Sequence, residues 1–293
     1  MLRLVSIFLI SIFFFGGCSL DKEKTLKISV NSWLGYAPLI YANEKGWLNQ
    51  YNIKIINVVS LSESISMYNS KYSDAFTGTQ YEYQLVKEQY KTLTPLMMFD
   101  SSYGGDLVMA NRSIEELVLS TEPINTYLEI NSVNASVLQD FLSYYKIDPA
   151  KIHYINQDQQ NISNLENIPA QATLLVTYSP YDIDLKKQNF QTLASTKDEF
   201  SITVVDAMYA TQEMYLEHKK QFLALKTQTD RAIEVLKNDP KEFYKHVKPF
   251  LQDVSFEEFE SMSKDIKWIN KEIPKNLQQN IQKMDFPLDG LIK

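Results

Sequence analysis

From Leu26 to about Val205, short strand-like runs alternate with helix-like stretches, and the last third of the chain carries no strand signal. Leu26, Ile28 and Val30 alternate with polar residues, a period of two that predicts a strand. A helix follows over Tyr36 to Trp47, with Pro38 near its first turn and Gly46 at its end. Then come a strand at Ile53–Val59, a helix capped within Ser60–Ser64 and running to about Ser70, a strand within Asp74–Thr79, and a helix to about Tyr90. Leu96–Phe99 and Leu107–Ala110 read as strands around a turn at 101–105.

The pattern then repeats. We read strands at Ile124–Ile130, Ile152–Ile155, Thr173–Thr177 and Ser201–Val205, helices at Ser132–Tyr145 and Ser163–Ile168, and a turn at Asp148-Pro149. From Thr211 the chain reads as four or so helices, one opened by Asp239-Pro240 in the cap-then-proline manner. Alternation of this kind predicts α/β layers with a parallel sheet. A chain of 293 residues with 44% hydrophobic side chains has core enough for two lobes.

The N-terminus gives an address. Arg3, an apolar run from Leu4 to Phe15, Gly16, Gly17 and then Cys18 have the layout of an export signal, too short to span a membrane comfortably. The small-small-Cys ending resembles a bacterial lipobox, with Phe15 where Leu is usual. The resemblance implies a signal at 1–17 and acylation of Cys18, the only cysteine. The run DKEK at 21–24 makes 18–25 a solvated tether. Loss of Arg3 takes the formal charge from −7 to −8.

That charge, with no basic run, argues against nucleic-acid binding. One cysteine excludes a disulfide framework and CxxC metal or redox sites. Three histidines (His153, His218, His246) leave little for metal ligation or His-based catalysis, and no GxSxG, HExxH or P-loop pattern occurs. No metal, cofactor or catalytic residue is expected.

The segment 29–59 resembles the opening of bacterial ABC-transporter solute-binding proteins of the nitrate/sulfonate/thiamine-precursor type. Trp33, Gly35 and Tyr36 match W-x-G-Y; Pro38, Leu39, Ala42, Lys45, Gly46 and Leu48 match the helix that follows it. Asp74, Ala75 and Gly78 fit a later turn, and Tyr178, Pro180 and Tyr181 stand where the family has W-x-P-Y. The resemblance spans roughly residues 26–285. It implies a periplasmic-binding-protein-like fold of type II: two α/β lobes, 26–108 plus 205–293 and 109–204, joined by two hinge crossings and closing on a ligand. It also implies an inner-membrane ABC permease as partner, a lipid-anchored place at the periplasmic face of the cell envelope, and action as a monomer. A related architecture makes the thiamine pyrimidine enzymatically, but it uses a Cys-rich segment and a reactive His that this chain lacks. A ligand-presenting sensor for a membrane kinase is a further alternative.

In open α/β sheets, ligands sit beyond the carboxyl ends of the strands. The candidates are therefore Trp33 and Tyr36, Thr79 and Gln80, Tyr103 to Asp106, Glu129 to Ser132 (Asn131 among them), Tyr178 and Tyr181, and Asp206. Family members usually carry Gly-Ser at the helix start that here holds Ser132, with Glu129 close by. The candidates are aromatic and acidic and include no Lys or Arg; of the three arginines, Arg112 alone is expected near the cleft edge. An oxyanion usually wants guanidinium or several N–H donors. The expected ligand is thus a small amine or nitrogen heterocycle, such as a thiamine-precursor pyrimidine, with an alkanesulfonate or nitrate-type anion as the alternative.

Overall fold

The computed structural model describes residues 24–165, 170–198, 203–284 and 286–292. The signal, Cys18 and most of the tether lie outside them. The chain builds β1 (Leu26–Val30), α1 (Ala37–Glu44), β2 (Ile53–Asn57), α2 (Leu61–Asn69), β3 (Ala75–Thr79), α3 (Gln80–Lys87) and β4 (Leu93–Ser102). It then crosses into β5 (Asp106–Ala110), α4 (Ile114–Leu119), β6 (Ile124–Leu128), α5 (Val133–Tyr145), β7 (Ile152–Asn156), α6 (Gln159–Ser163), β8 (Thr173–Tyr178), α7 (Asp182–Lys187) and β9 (Gln191–Ser195). It returns through β10 (Val205–Thr211) to α8 (Gln212–Glu217), α9 (Lys219–Asn238), α10 (Pro240–Val247), α11 (Phe256–Ser263), β11 (Ile266–Trp268) and α12 (Lys275–Lys283).

Two sheets result, in the orders β11-β4-β10-β3-β1-β2 and β7-β6-β8-β5-β9. The expected α/β class and two-lobe layout are present. The sheets are mixed rather than parallel: β10 runs antiparallel to β3 and β4, and β5 antiparallel to β8 and β9. Strands that arrive directly from the other lobe have no helical crossover to reverse them, so they enter antiparallel. Residues 106–108, expected in the first lobe, belong to β5 and hence to the second sheet. The strand expected at Ser201–Val205 lies later, at Val205–Thr211; positions 199–202 fall outside the described residues, as does half of the helical piece expected at Ser163–Ile168. β9 and β11 were not expected at all; β11, only three residues long, pairs with β4 inside a stretch read as helical.

Local chemistry accounts for the helix starts. The Ser60 side chain accepts from Glu63 N, Thr79 forms a capping box with Glu82, the Ser132 side chain accepts from Asn134 N, and Asp239 accepts from Glu242 N ahead of Pro240. The first crossing, 103–105, is bonded to both described ends of the second: Ser102 N donates to Val204 O at 3.0 Å and Gly104 N to Thr196 Oγ1 at 2.7 Å.

Candidate functional site

The functional candidates gather where the strand ends of the two sheets face each other. The C-terminal end of β1 leads into Asn31 and Trp33, and β3 ends at Thr79. The antiparallel strands β5 and β10 bring their beginnings, Asp106 and Asp206, to the same edge: Asp106 lies opposite Tyr178, and Asp206 opposite both Thr79 and Asp100. Asn31, Trp33, Thr79, Asp106, Tyr178 and Asp206, with Leu61 from α2 and Val133 from α5, line a narrow cavity of about 10 Å³ between the lobes, room for about one water-sized group.

Its walls are aromatic. Trp33 meets Tyr178 edge-on at 5.9 Å between centroids, and Tyr178 meets Tyr181 at 5.5 Å. Its polar groups are acidic. Tyr36 OH donates to Asp206 Oδ1 at 2.6 Å, and Trp33 Nε1 donates to Asp100 Oδ1 at 3.3 Å. Glu82 and Glu129 complete a set of five buried carboxylates. Among the described residues, no ion pair reaches any of the five. Nor does any group of three or more His, Cys, Asp and Glu converge in a way that could hold a metal ion.

Burial without a counter-cation raises all five pKa values, because the charged form is desolvated. Asp106 is raised to about 6 and Glu129 to about 8, the latter also through repulsion from Glu82. Asp100 and Asp206 are held well above the usual carboxylate range, by burial first and then by neighbouring carboxylates. Asp106 Oδ2 and Asn31 Nδ2 are buried without a hydrogen-bond partner, and both residues line the cavity. Buried polar atoms of this kind call for a partner.

Both glutamates also bridge the lobes. Glu82 Oε2 accepts from Thr79 N at 2.7 Å, while Glu82 Oε1 crosses to accept from Val133 N at 3.0 Å, at the first residue of α5. In the other direction, Glu129 Oε2 accepts from Leu61 N at 3.3 Å, at the first residue of α2, and Glu129 Oε1 takes a long 3.4 Å bond from Tyr178 OH. Ser32 Oγ and Tyr181 OH form a third bridge, 2.5 Å long. Each lobe thus sends a carboxylate to a helix N-terminus of the other, where the helix dipole favours negative charge.

Of the residues singled out from the sequence, Trp33, Thr79, Tyr178 and Asp206 line the cavity, and Tyr36, Tyr181 and Glu129 stand directly behind or across it. Ser132 is buried as the cap of α5, its Oγ donating to Glu129 O at 2.8 Å. Three lie elsewhere. Gln80 tethers the second crossing, its Nε2 donating to Thr203 O and its Oε1 accepting from Val205 N, both at 3.0 Å. Tyr103 sits on the first crossing, 41% exposed, with Lys267 Nζ 3.5 Å from its ring centroid. Asn131 is exposed on the turn before α5. Arg112 is also far from the cleft: β5 starts at the cleft with Asp106, so Arg112 lies past its opposite end, donating to Asn111 O and Ala170 O.

Asp100, Glu82, Asn31, Leu61 and Val133 were missed. The one available signal was Glu82, three residues after Thr79 in a capping-box spacing. Gly35 shows how tightly the site is packed. A Cβ there would come within 2.0 Å of Asp100 Oδ2 and 2.2 Å of Trp33 Nε1. Gly35→Ala is therefore expected to displace both side chains, to cost about 1–3 kcal/mol of stability, and to weaken ligand binding at least roughly tenfold. Paired thermal melts and calorimetry would check it; unchanged affinity would remove the Trp33–Asp100 contact from the site.

No protein-family model matches the chain, and no curated protein matches it in sequence. Solved structures do match in fold. The ligand-binding component of an ABC-type import system from Staphylococcus aureus, with zinc bound, superposes with a TM-score of 0.69 at 14% identity over 92% of this chain and 96% of its own. The alkanesulfonate-binding protein of Xanthomonas axonopodis pv. citri, bound to MOPS, gives 0.69 at 11% identity over 88% and 89%. A Candida albicans protein described as exhibiting the generic periplasmic binding protein fold gives 0.64 at 11% identity over 92% and 96%. The chain has the periplasmic-binding-protein fold.

Proposed function

We propose that this chain is the solute-binding component of an ABC importer, and that its solute is a small protonated amine or amine-bearing nitrogen heterocycle held between the lobes. The observation that carries the reading is the lining of the cleft: walls of Trp33 and Tyr178 beside Asp106 and Asp206, with Asp106 Oδ2 unpartnered, a surface that a solute would meet when the lobes part. A protonated aminopyrimidine would offer N–H donors to these carboxylates and a flat cationic ring to the aromatic walls. The fold, and the place of the Staphylococcus aureus protein in an ABC-type import system, support import. On this reading the chain is a binder, not an enzyme; its partner is a membrane permease, its place is the outer side of the membrane, held by lipid on Cys18, and it works as a monomer.

The anion alternative is less well served. In this fold an oxyanion needs free N–H groups or a cation, yet Val133 N, at the start of α5, already bonds Glu82, and Asn134 N bonds Ser132 Oγ. A charge-assisted hydrogen bond contributes about 1.5–3 kcal/mol, and a cation over an aromatic face ~0.5–2 kcal/mol. Three or four such contacts, less the ordering cost of binding, reach roughly micromolar affinity.

A thermal-shift panel tests the reading. Methylammonium, larger amines, 4-aminopyrimidines, alkanesulfonates and nitrate would be compared at equal concentration. A ligand at a hundred times its Kd stabilises by about 2.7 kcal/mol. Amines or aminopyrimidines should raise the midpoint and the anions should not. The reverse ranking overturns the proposal.

A further inference from the structure

A second pocket adjoins the acidic cavity. It offers about 60 Å³ and shares Asn31 and Trp33 with the cavity as lining. Its floor differs in character: Val30, Ala37, Ile40, Val58, Val247 and Leu251 are apolar and buried. The mouth is edged by the exposed Asn57, by half-buried Phe250, and by Ser32, whose hydroxyl bonds Tyr181 of the other lobe. A polar atom waits at the junction of the two spaces. Asn31 Oδ1 accepts from Trp33 N at 3.2 Å, while Asn31 Nδ2, buried, donates to nothing.

We infer that the solute is an amphiphilic cation: its charged head enters the acidic cavity, an acceptor atom at its middle meets Asn31 Nδ2, and an apolar arm fills the pocket over Val58 and Ile40. The inference rests on the proposed reading of the acidic cavity. It goes beyond it by fixing the solute's other end. Adjacency decides the occupant, because Asn31 and Trp33 line both spaces. An apolar arm gains what a compact amine cannot, since the pocket removes methylene surface from water.

The test is a series of n-alkylammonium ions, methyl to hexyl, titrated calorimetrically into the full mature chain at pH 7. Affinity should rise about fourfold per methylene over the first members, the increment expected from burying one such group, and then level off. Val58→Phe should flatten the series by filling the pocket. Phe250→Ala, on the half-buried edge, should move the plateau to longer chains, a gain that misfolding cannot mimic. Affinity that is flat or falls with length in the unaltered protein overturns the inference, as does a series untouched by Val58→Phe. Binding of 4-aminopyrimidines together with such a flat series would sink the amphiphile alone and leave the acidic-cavity reading standing. Absence of binding by both alkylammonium ions and aminopyrimidines would sink both.

Discussion

Asp106→Asn weakens binding of a protonated amine or aminopyrimidine by about ten- to hundredfold and leaves the fold intact. The estimate follows from losing one charge-assisted hydrogen bond, about 1.5–3 kcal/mol. Asp106 starts β5, and its backbone pairing with β8 is independent of the side-chain charge. Its Oδ2 is the carboxylate oxygen that lines the cavity without a partner. Asparagine keeps the shape and removes the charge, so the unliganded protein loses no ion pair and is relieved of a desolvated anion. Calorimetry beside thermal melts checks both halves. Unchanged affinity would take Asp106 out of the site. Trp33→Ala is a poorer probe of the same cavity, because Trp33 is only 5% exposed and its loss costs about 3–5 kcal/mol of packing.

The second large effect concerns closure. Glu82 on Val133 N and Glu129 on Leu61 N hold the lobes together reciprocally. At about 0.5–1.5 kcal/mol for each such bond, the double variant Glu82→Ala/Glu129→Ala should shift the open–closed equilibrium roughly tenfold or more toward open. Small-angle scattering of the unliganded protein would then show a larger radius of gyration than the parent; an unchanged radius would refute the latch.

The same groups give a pH dependence. Asp106 and Glu129 have folded-state values raised to about 6 and about 8 from 3.8 and 4.5, so the closed form binds more protons than an opened or unfolded chain. Their stabilisation is complete below those ordinary values. It is lost as the pH rises through about 6 for Asp106 and about 8 for Glu129. The facing groups Glu82, Asp100 and Asp206 are raised too and carry the same sign. The unliganded midpoint should therefore fall between pH 5 and pH 8.5, and a cationic ligand should stabilise more at the alkaline end. A flat or rising profile would contradict this.

How far the sequence reveals this site depends on how local each signal is. The W-x-G-Y segment sits on one strand end and its turn, so Trp33 and Tyr36 are legible together, as are Ser60, Thr79 and Asp239 as helix starts. Asp206 was found for an incomplete reason: it begins a strand rather than follows one, and it reaches the cleft because β10 runs antiparallel. The same reversal brings Asp106 to the cleft and carries Arg112 away from it. Asp100 and Glu82 depend on cross-strand and cross-lobe register, which no spacing within one segment displays. Tyr103 and Gln80 obey the strand-end rule, but the crossings claim their side chains first.

The most direct measurement is titration calorimetry near pH 7 of 4-amino-2-methylpyrimidine and methylammonium against ethanesulfonate and nitrate, with Asp106→Asn in parallel. The account predicts saturable binding of at least one cation, weakened in the variant, and no heat from either anion. Tight binding of ethanesulfonate or nitrate, unaffected by Asp106→Asn, with silence from the amines, would contradict it.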